Sequence, residues 1–486
     1  HYTLGKQREY PGMGDGPCVH SFCDDALGEC DAVSLAERLR RGEVSAAEVT
    51  EAAIARALRV EPSIHAVQLE CYQRARQQSA AGGSAGFFAG VPTFVKDNTD
   101  VRGLPTNHGS AALDTPPARR SDPFARQFLD QGFVVLGKST LPEFGLNATT
   151  EFVHREPTRN PWNPEYSAGA SSGGAAALVA AGVVPLAHGN DGGGSIRIPA
   201  ACCGLVGLKA SRGRHREKHH TRALAVNLIN EGVLTRSVRD TARFHAEAEK
   251  YFRNPRLPRV GLVEGPAPRR RKIGLLLDPV TGGRSDPRTR AAVEETAKLL
   301  AGLGHQVEEI PMPVPKSFVE DFGLYWSMLA FMFETAGDRV IDPGFEPDLL
   351  DGLTQGLSNQ FRRKFYRAPG FIYRLRKTRR DYARVFQALD AVLSPVLTHT
   401  TPLLGHLSPQ VPFEQLFERL INYVGFTPWA NASGGPAISL PAGLTENRLP
   451  VSVQLFAGHG QERTLLELAF ELEASSPWPG IQQGAH

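Results

Sequence analysis

The sequence predicts an α/β fold with a sheet largely covered by helices. Short apolar runs of strand length alternate with segments of helical period. Strand character returns near the C-terminus, so runs from both chain ends belong to one alternating pattern. The 486 residues are 41% apolar and 22% charged, an ordinary balance for a chain that buries a large core.

Residues 1–31 are rich in Gly, Pro and Cys without periodicity and read as an irregular N-terminal arm; residues 32–486 read as one domain. From Ser34 the pattern is helical. Leu35 and Leu39, then Val49, Ala53, Ile54 and Ala57, recur at helix spacing, with Gly42 between the two helices and Ser45 as N-cap of the second. The Ala/Gly/Ser-rich stretch 79–86 reads as a loop. Gly90–Val95 and Gly132–Leu136 read as buried strands, and Ala175–Ala181 as a buried helix entered from Gly173-Gly174. Lys272–Leu277 is a strand, followed by a helix from Arg288 to Leu303 that Gly304 stops. Phe318–Thr335 and Phe361–Leu389 make a helix-rich variable region at about 312–390. Ala391–Leu397, Ala437–Pro441 and Val451–Phe456 return to strand, and Glu462–Glu473 closes with a helix.

Composition excludes several function classes. The net charge of +3 provides no field to recruit nucleic acid or a membrane. Clusters at Arg269–Lys272, Arg374–Arg380 and Arg212–His220 read as solvated faces. No signal peptide is visible, and the longest nearly apolar run, Ala175–Ala187, holds Gly182 and Pro185 and is too short to span a bilayer. Cys18, Cys23 and Cys30 lack zinc-like pairing with His, and Cys202 adjoins Cys203. All six cysteines read as reduced thiols of a cytoplasmic protein, so the sequons at Asn147 and Asn431 carry no chemistry.

The chemistry concentrates between Gly169 and Pro199. Gly-Ala-Ser-Ser-Gly-Gly opens an Ala-rich helix, and His188-Gly-Asn-Asp-Gly-Gly-Gly-Ser195-Ile-Arg-Ile-Pro follows it. Glycines let the chain turn tightly and bring its N–H groups close to a ligand. A triple glycine before Ser195 can aim several amides at one point, as an oxyanion hole requires.

These motifs resemble the amidase signature family. Its pattern is a Gly/Ser-rich loop, an Ala-rich helix and Gly-Gly-Ser-Ile-Arg-x-Pro, with an upstream Lys-Asp that is here Lys96-Asp97. Seventy-five positions separate Lys96 from Ser171 and 24 separate Ser171 from Ser195, as in the family. Further matches are Val135-Leu-Gly-Lys-Ser-Thr, Asn160-Pro-Trp-Asn, Gly207-Leu-Lys-Ala-Ser-Arg-Gly-Arg, Leu234-Thr-Arg-Ser-Val-Arg-Asp, Gly434-Gly-Pro-Ala-Ile-Ser-Leu-Pro and Leu449-Pro-Val-Ser-Val-Gln-Leu, so the resemblance runs from about Ser34 to Glu473. It implies an open twisted mixed sheet with helices on both faces, and hydrolysis of amide C–N bonds without metal or organic cofactor. Ser195 would be the nucleophile, Ser171 the proton relay, held by a cis Ala170–Ser171 bond, and Lys96 the base. Burial by Val91–Val95 would lower the pKa of Lys96. Backbone amides of Gly192, Gly193, Gly194 and Ser195 would form the oxyanion hole, and Ser172, Asp191 and Arg197 would support these loops, Arg197 by pairing with Asp191.

The chain departs from the family pattern at Ala170 for Gly, Asn190 for Thr or Ser, Gly192 for Thr or Ile, and Phe152 for Asn. The His188-Gly-Asn-Asp wording is similar to that of the nylon-oligomer cyclic-dimer hydrolases. Leu324–Phe333 holds two of the four methionines with several aromatics, which suits a buried helix or an adaptable pocket. Leu146, Thr149, Trp326, Met328 and Phe331 are the candidate pocket residues. A roomy apolar site suits a small-molecule substrate that is a bulky or aryl amide, with esters and urethane-type carbamates open to the same chemistry.

Three other functions stay open: the A subunit of a tRNA-dependent amidotransferase, an α/β-hydrolase esterase with a His base, and a non-catalytic binding protein. Two motif matches read as false. Gly132-Phe-Val-Val-Leu-Gly-Lys138-Ser139 fits a P-loop expression, but its middle is strand. Gly169-Ala-Ser171-Ser-Gly173 fits a nucleophile elbow, yet Pro161 and Pro164 upstream disfavour a central strand. His188 reads as a hydrogen-bonded structural group, and Cys202 and Cys203 as packing residues.

Overall fold

Ser45 sets the first long helix, Ala46–Ile64, by a capping box. Its Oγ accepts the Glu48 N–H at 3.2 Å, and the Glu48 carboxylate accepts the Ser45 N–H at 2.8 Å. Helix Ala32–Arg40 precedes it, capped by Asp31. The computed structural model describes residues 18–82, 85–218, 221 and 223–485. Of the irregular arm read at 1–31, residues 1–17 lie outside the described residues, and 18–31 lack regular structure before the first helix. The loop read at 79–86 begins later, because helix Tyr72–Ala81 takes its first three positions; residues 83 and 84 lie outside the described residues.

Thirteen strands are described: β1 Val67–Glu70, β2 Pro92–Lys96, β3 Val134–Ser139, β4 Arg159–Asn160, β5 Asn163–Ser167, β6 Leu186–Asp191, β7 Val206–Lys209, β8 Asn230–Thr235, β9 Lys272–Leu275, β10 Gln306–Glu309, β11 Ala391–Pro395, β12 Ala437–Leu444 and β13 Pro450–Ala457. Eight form a mixed sheet in the order β10-β9-β11-β13-β12-β7-β8-β6. The β10/β9/β11 end is parallel and the rest antiparallel. A smaller sheet, β1-β3-β2, abuts the β6 edge, where Thr93 Oγ1 donates to Leu186 O at 3.1 Å.

Helix Gly173–Ala180 is buried along its whole length within the larger apolar core. Its glycine pair is dictated by contact: an added Cβ would come within 2.2 Å of Thr150 Oγ1 at Gly173 and 2.3 Å of Thr140 Oγ1 at Gly174. A second core, on Ile438, Leu440, Val453 and Leu455 of the sheet, is covered by helices Pro287–Gly302 and Glu462–Ser475. The helix-rich region comprises Ser317–Val340, Gly352–Lys364 and Ala368–Ala388. Among the described residues no helix is long and apolar enough to cross a membrane.

Strands β6, β7 and β8 were not legible as strands. In β6 the residues His188, Gly189, Asn190 and Asp191 are polar or small yet buried, because their polar groups find partners inside the protein. The P-loop match is β3, with Lys138 buried and paired to Asp97 at 2.9 Å. The elbow match follows β5, which pairs with β4 in an outlying two-stranded ribbon and by an isolated bridge with Leu403, and not with the main sheet. An α/β-hydrolase elbow rises from a central strand, so that reading is set aside.

Candidate active site

Lys96 ends β2 with no exposed surface. Its Nζ lies 2.7 Å from Ser171 Oγ, and Ser171 follows a cis Ala170–Ser171 peptide bond. Burial lowers the Lys96 pKa to about 7, with Glu231 and Asp191 opposing the shift and Lys218 adding to it. Gly145 lies against this serine, since an added Cβ would stand 2.9 Å from Ser171 Oγ.

Ser195 sits between Gly194 and helix Arg197–Cys203, half-buried, and lines the same cavity as Ser171. The two serine loops are joined where the Ser172 N–H donates to Ser195 O at 3.2 Å. Ser172 Oγ donates to Asn190 O at 3.3 Å.

Asp191 and Arg197 meet as the sequence suggested. The guanidinium donates through Nε at 2.9 Å and Nη2 at 3.0 Å, with both side chains fully buried. Burial alone would raise the Asp191 pKa; Arg197 outweighs it and holds the carboxyl well below the usual carboxylate range. Arg197 also reaches Thr427 O, Gln454 Oε1 and Asn431 Oδ1, so the glycine loop is tied to the segment 427–431.

One expected oxyanion donor is already engaged. The Gly194 N–H donates to Asp191 Oδ1 at 2.8 Å and is thereby held within the turn. Its φ is +133°, and a Cβ there would strike Thr427 Oγ1 at 2.5 Å. The N–H groups of Gly192, Gly193 and Ser195 meet no acceptor among the described residues, and all three residues line the cavity.

The cavity encloses 340 Å³. Leu146 and Trp326 line it, together with Phe144, Phe322, Leu329 and Phe333. Three expected pocket residues do not. Thr149 is fully buried, with its hydroxyl on Glu151 and Ser167. Met328 and Phe331 belong to the apolar cluster behind the wall, where Phe331 meets the Phe361 ring. Helix Ser317–Val340 is apolar on two faces: Phe322, Trp326, Leu329 and Phe333 recur at helix spacing toward the cavity, and Tyr325, Met328 and Phe331 lie on the cluster side. At Phe152 an Arg155 guanidinium lies 3.8 Å from the ring centre.

Asn98, Lys218 and Glu231 also stand in this site without having been legible in the sequence, and Asn190 was legible only as a departure from the family pattern. Asn98 and Asn190 pair through their amides, Glu231 accepts from His188, and Lys218 faces Glu231. The only local signal was Asn98 standing two positions after Lys96.

Comparison with known proteins gives the family. The amidase family pattern matches residues 48–466. The chain belongs to the amidase family. Among its relatives is the AmiC protein of Mycobacterium leprae, classed by its name among the amidases, 48% identical over 96% of this chain and 99% of that one. The 6-aminohexanoate-cyclic-dimer hydrolase of Paenarthrobacter ureafaciens is 35% identical over 92% of this chain and 95% of its own length. A solved 6-aminohexanoate cyclic dimer hydrolase, in complex with substrate, superposes with a TM-score of 0.81 at 32% identity, covering 92% of this chain and 97% of the other. A bacterial aryl acylamidase superposes at 0.80 and 27% identity over 92% and 96%. This amidase is therefore a hydrolase of amide C–N bonds in small molecules, on an α/β amidase signature fold.

Proposed function

We propose that the amidase cleaves bulky apolar amides, aryl amides included, through an acyl-enzyme on Ser195, with Ser171 as relay and Lys96 as base. The observation that carries this reading is the buried Lys96 amine 2.7 Å from Ser171 Oγ, at the wall of an apolar cavity that also bears Ser195. With a pKa near 7, Lys96 is largely neutral at mildly alkaline pH and able to accept a proton.

Ser195 Oγ attacks the amide carbon as its proton passes to Ser171 Oγ and the Ser171 proton passes to Lys96 Nζ. The carbonyl π pair moves to oxygen, where the N–H groups of Gly192, Gly193 and Ser195 meet the charge. Collapse breaks the C–N bond, and the lysine proton returns through Ser171 to the leaving nitrogen. Water then attacks the acyl carbon by the same relay, releasing the acid and restoring Ser195.

Substrate size is read from the cavity. Phe144, Phe322, Trp326 and Phe333 offer apolar surface and few polar anchors, which selects by bulk rather than by hydrogen bonds. The related hydrolase acts, by its name, on a cyclic dimer of 6-aminohexanoate, a ring of two amides and methylene chains. Aryl esters and urethane-type carbamates present the same carbonyl to the same donors. The test is kcat/KM for an aryl amide and an aryl carbamate against glutamine and acetamide. The bulky substrates should lead by at least about 10-fold, the low end of what one apolar group contributes. A clear lead for the small polar amides overturns the substrate assignment. Fluorophosphonate labelling should place the adduct on Ser195; an adduct on Ser171 overturns the nucleophile.

A further inference from the structure

Two carbonyl oxygens of a single residue face the Lys96 amine. Nζ lies 2.8 Å from Asn190 Oδ1 and 3.4 Å from the Asn190 main-chain oxygen, besides its 2.7 Å approach to Ser171 Oγ. A neutral amine has two N–H groups and one lone pair, and a carbonyl oxygen only accepts. Asn190 thus takes both hydrogens, and the lone pair is left facing Ser171, where the proton must arrive.

This arrangement holds only while the Asn190 carboxamide turns its oxygen, and not its NH2, toward Lys96. Asn98 supplies half of the lock: Asn190 Nδ2 donates to Asn98 Oδ1 at 2.8 Å, and Asn98 Nδ2 donates back to Asn190 Oδ1 at 3.2 Å. That pair alone is symmetric, since turning both amides over preserves it. The Glu231 carboxylate breaks the tie, because its Oε2, an acceptor only, lies 3.4 Å from Asn190 Nδ2.

The charge state of Glu231 is fixed in turn. His188 Nδ1 accepts the Lys96 main-chain N–H at 3.1 Å, so the ring hydrogen sits on Nε2 and is donated to Glu231 Oε2 at 2.9 Å. Burial would raise the Glu231 pKa, but Lys218, 3.8 Å away, and His188 together bring it to about 2. The circuit is closed: the main chain of Lys96 orients His188, His188 and Lys218 hold Glu231 as an acceptor, Glu231 orients Asn190, and Asn190 orients the Lys96 amine.

We propose that Asn190, keyed by Glu231 and Asn98, is a positioning residue that aims the Lys96 lone pair at Ser171 Oγ. The proposal rests on Lys96 being the base. The charged groups facing the amine are Glu231 from β8, Asp191 from β6 and Lys218 from the segment after β7.

The experiment measures kcat, KM and the pH profile of kcat for Asn190→Leu, Asn190→Asp, Glu231→Gln and Lys96→Ala on one aryl amide. Asn190→Leu removes the side-chain acceptor and should lower kcat about 10–100-fold with little change in KM. Asn190→Asp adds a carboxylate beside the amine. It should move the acidic limb up by one pH unit or more, with activity regained at higher pH. Glu231→Gln removes a charge that favours the ammonium and should move the limb down. Folded Asn190 variants with the parent kcat and limb, or with a change in KM alone, overturn the proposal. If the Asn190 variants do not fold, Glu231→Gln decides, and a parental limb overturns it. A folded Lys96→Ala that keeps its kcat overturns the base assignment itself. Loss of kcat there, with parental profiles in the other variants, removes only the positioning role.

Discussion

Around Lys96 and Asp191 the site is held by paired polar side chains, whereas the Ser317–Val340 wall across the cavity acts through apolar side chains. Asp191 alone accepts from Gly194, Ile196, Arg197 and Asn431. On the wall, Phe333 stacks on Phe144 at 4.6 Å and Trp326 meets Phe417 at 6.3 Å. Buried polar networks fail when one member is lost, while apolar surfaces tolerate swaps that conserve volume. The floor should therefore set whether an amide is cut, and the wall which amide is cut.

The largest effect expected lies on the floor. Ser195→Ala should lower kcat by about 10⁴-fold or more, and Lys96→Ala by about 10²–10⁴-fold, with folding intact by circular dichroism. A folded Ser195→Ala with more than a few per cent of parental turnover would move the nucleophile elsewhere. Next comes Arg197→Met, which strands the buried Asp191 carboxylate and should cost about 3–5 kcal/mol in urea unfolding. The sign of its pH dependence follows from the lowered Asp191 pKa. The stability contributed by the pair is complete above the unfolded value of about 3.9 and is lost as pH falls toward the folded one, so the parent should lose stability in acid more steeply than the variant.

A third test uses the base. kcat should rise with pH through about 7 as Lys96 loses its proton, and a profile flat from pH 5.5 to 9 would contradict that. The smallest effects separate the two faces of the wall helix. Trp326→Ala should lower kcat/KM for an aryl amide about 10-fold and leave acetamide nearly unchanged. Met328→Ala should leave both values alone while costing about 1–2 kcal/mol of stability. Equal substrate effects from the two variants would erase the distinction between the faces.

The same contrast explains what the sequence made legible. The floor is written in residues that only a special backbone requires: glycines where a Cβ would collide, a lysine at the end of an apolar strand, and Ser171 and Ser195 each just ahead of a buried helix. Gly194 was placed in the right loop, but no pattern shows which amide a neighbouring carboxylate takes. Asn98 and Asn190 stand 92 positions apart and Asn190 and Glu231 stand 41 apart, so their lock is made by the pairing of β6 with β8 and by the turn after β2 lying against them, neither of which a local pattern shows. On Leu324–Phe333 the difficulty is one of phase. With apolar residues on both faces, periodicity does not tell cavity from core, and of the residues it proposed for a pocket Met328 and Phe331 face the core while Trp326 faces the cavity.

A neutral lysine in the interior also links unfolding to the buffer. Lys96 holds no proton above about pH 7 when folded, but in the open chain it binds one up to about 10.5. Between those values unfolding draws a proton from solution, and this group makes stability rise with pH by up to about 1.4 kcal/mol per unit. Calorimetric unfolding heats in Tris and in phosphate should therefore differ, because the two buffers give up that proton with different enthalpies. Lys96→Met should shrink the gap by one proton's worth, a thermal record of the base that involves no substrate at all.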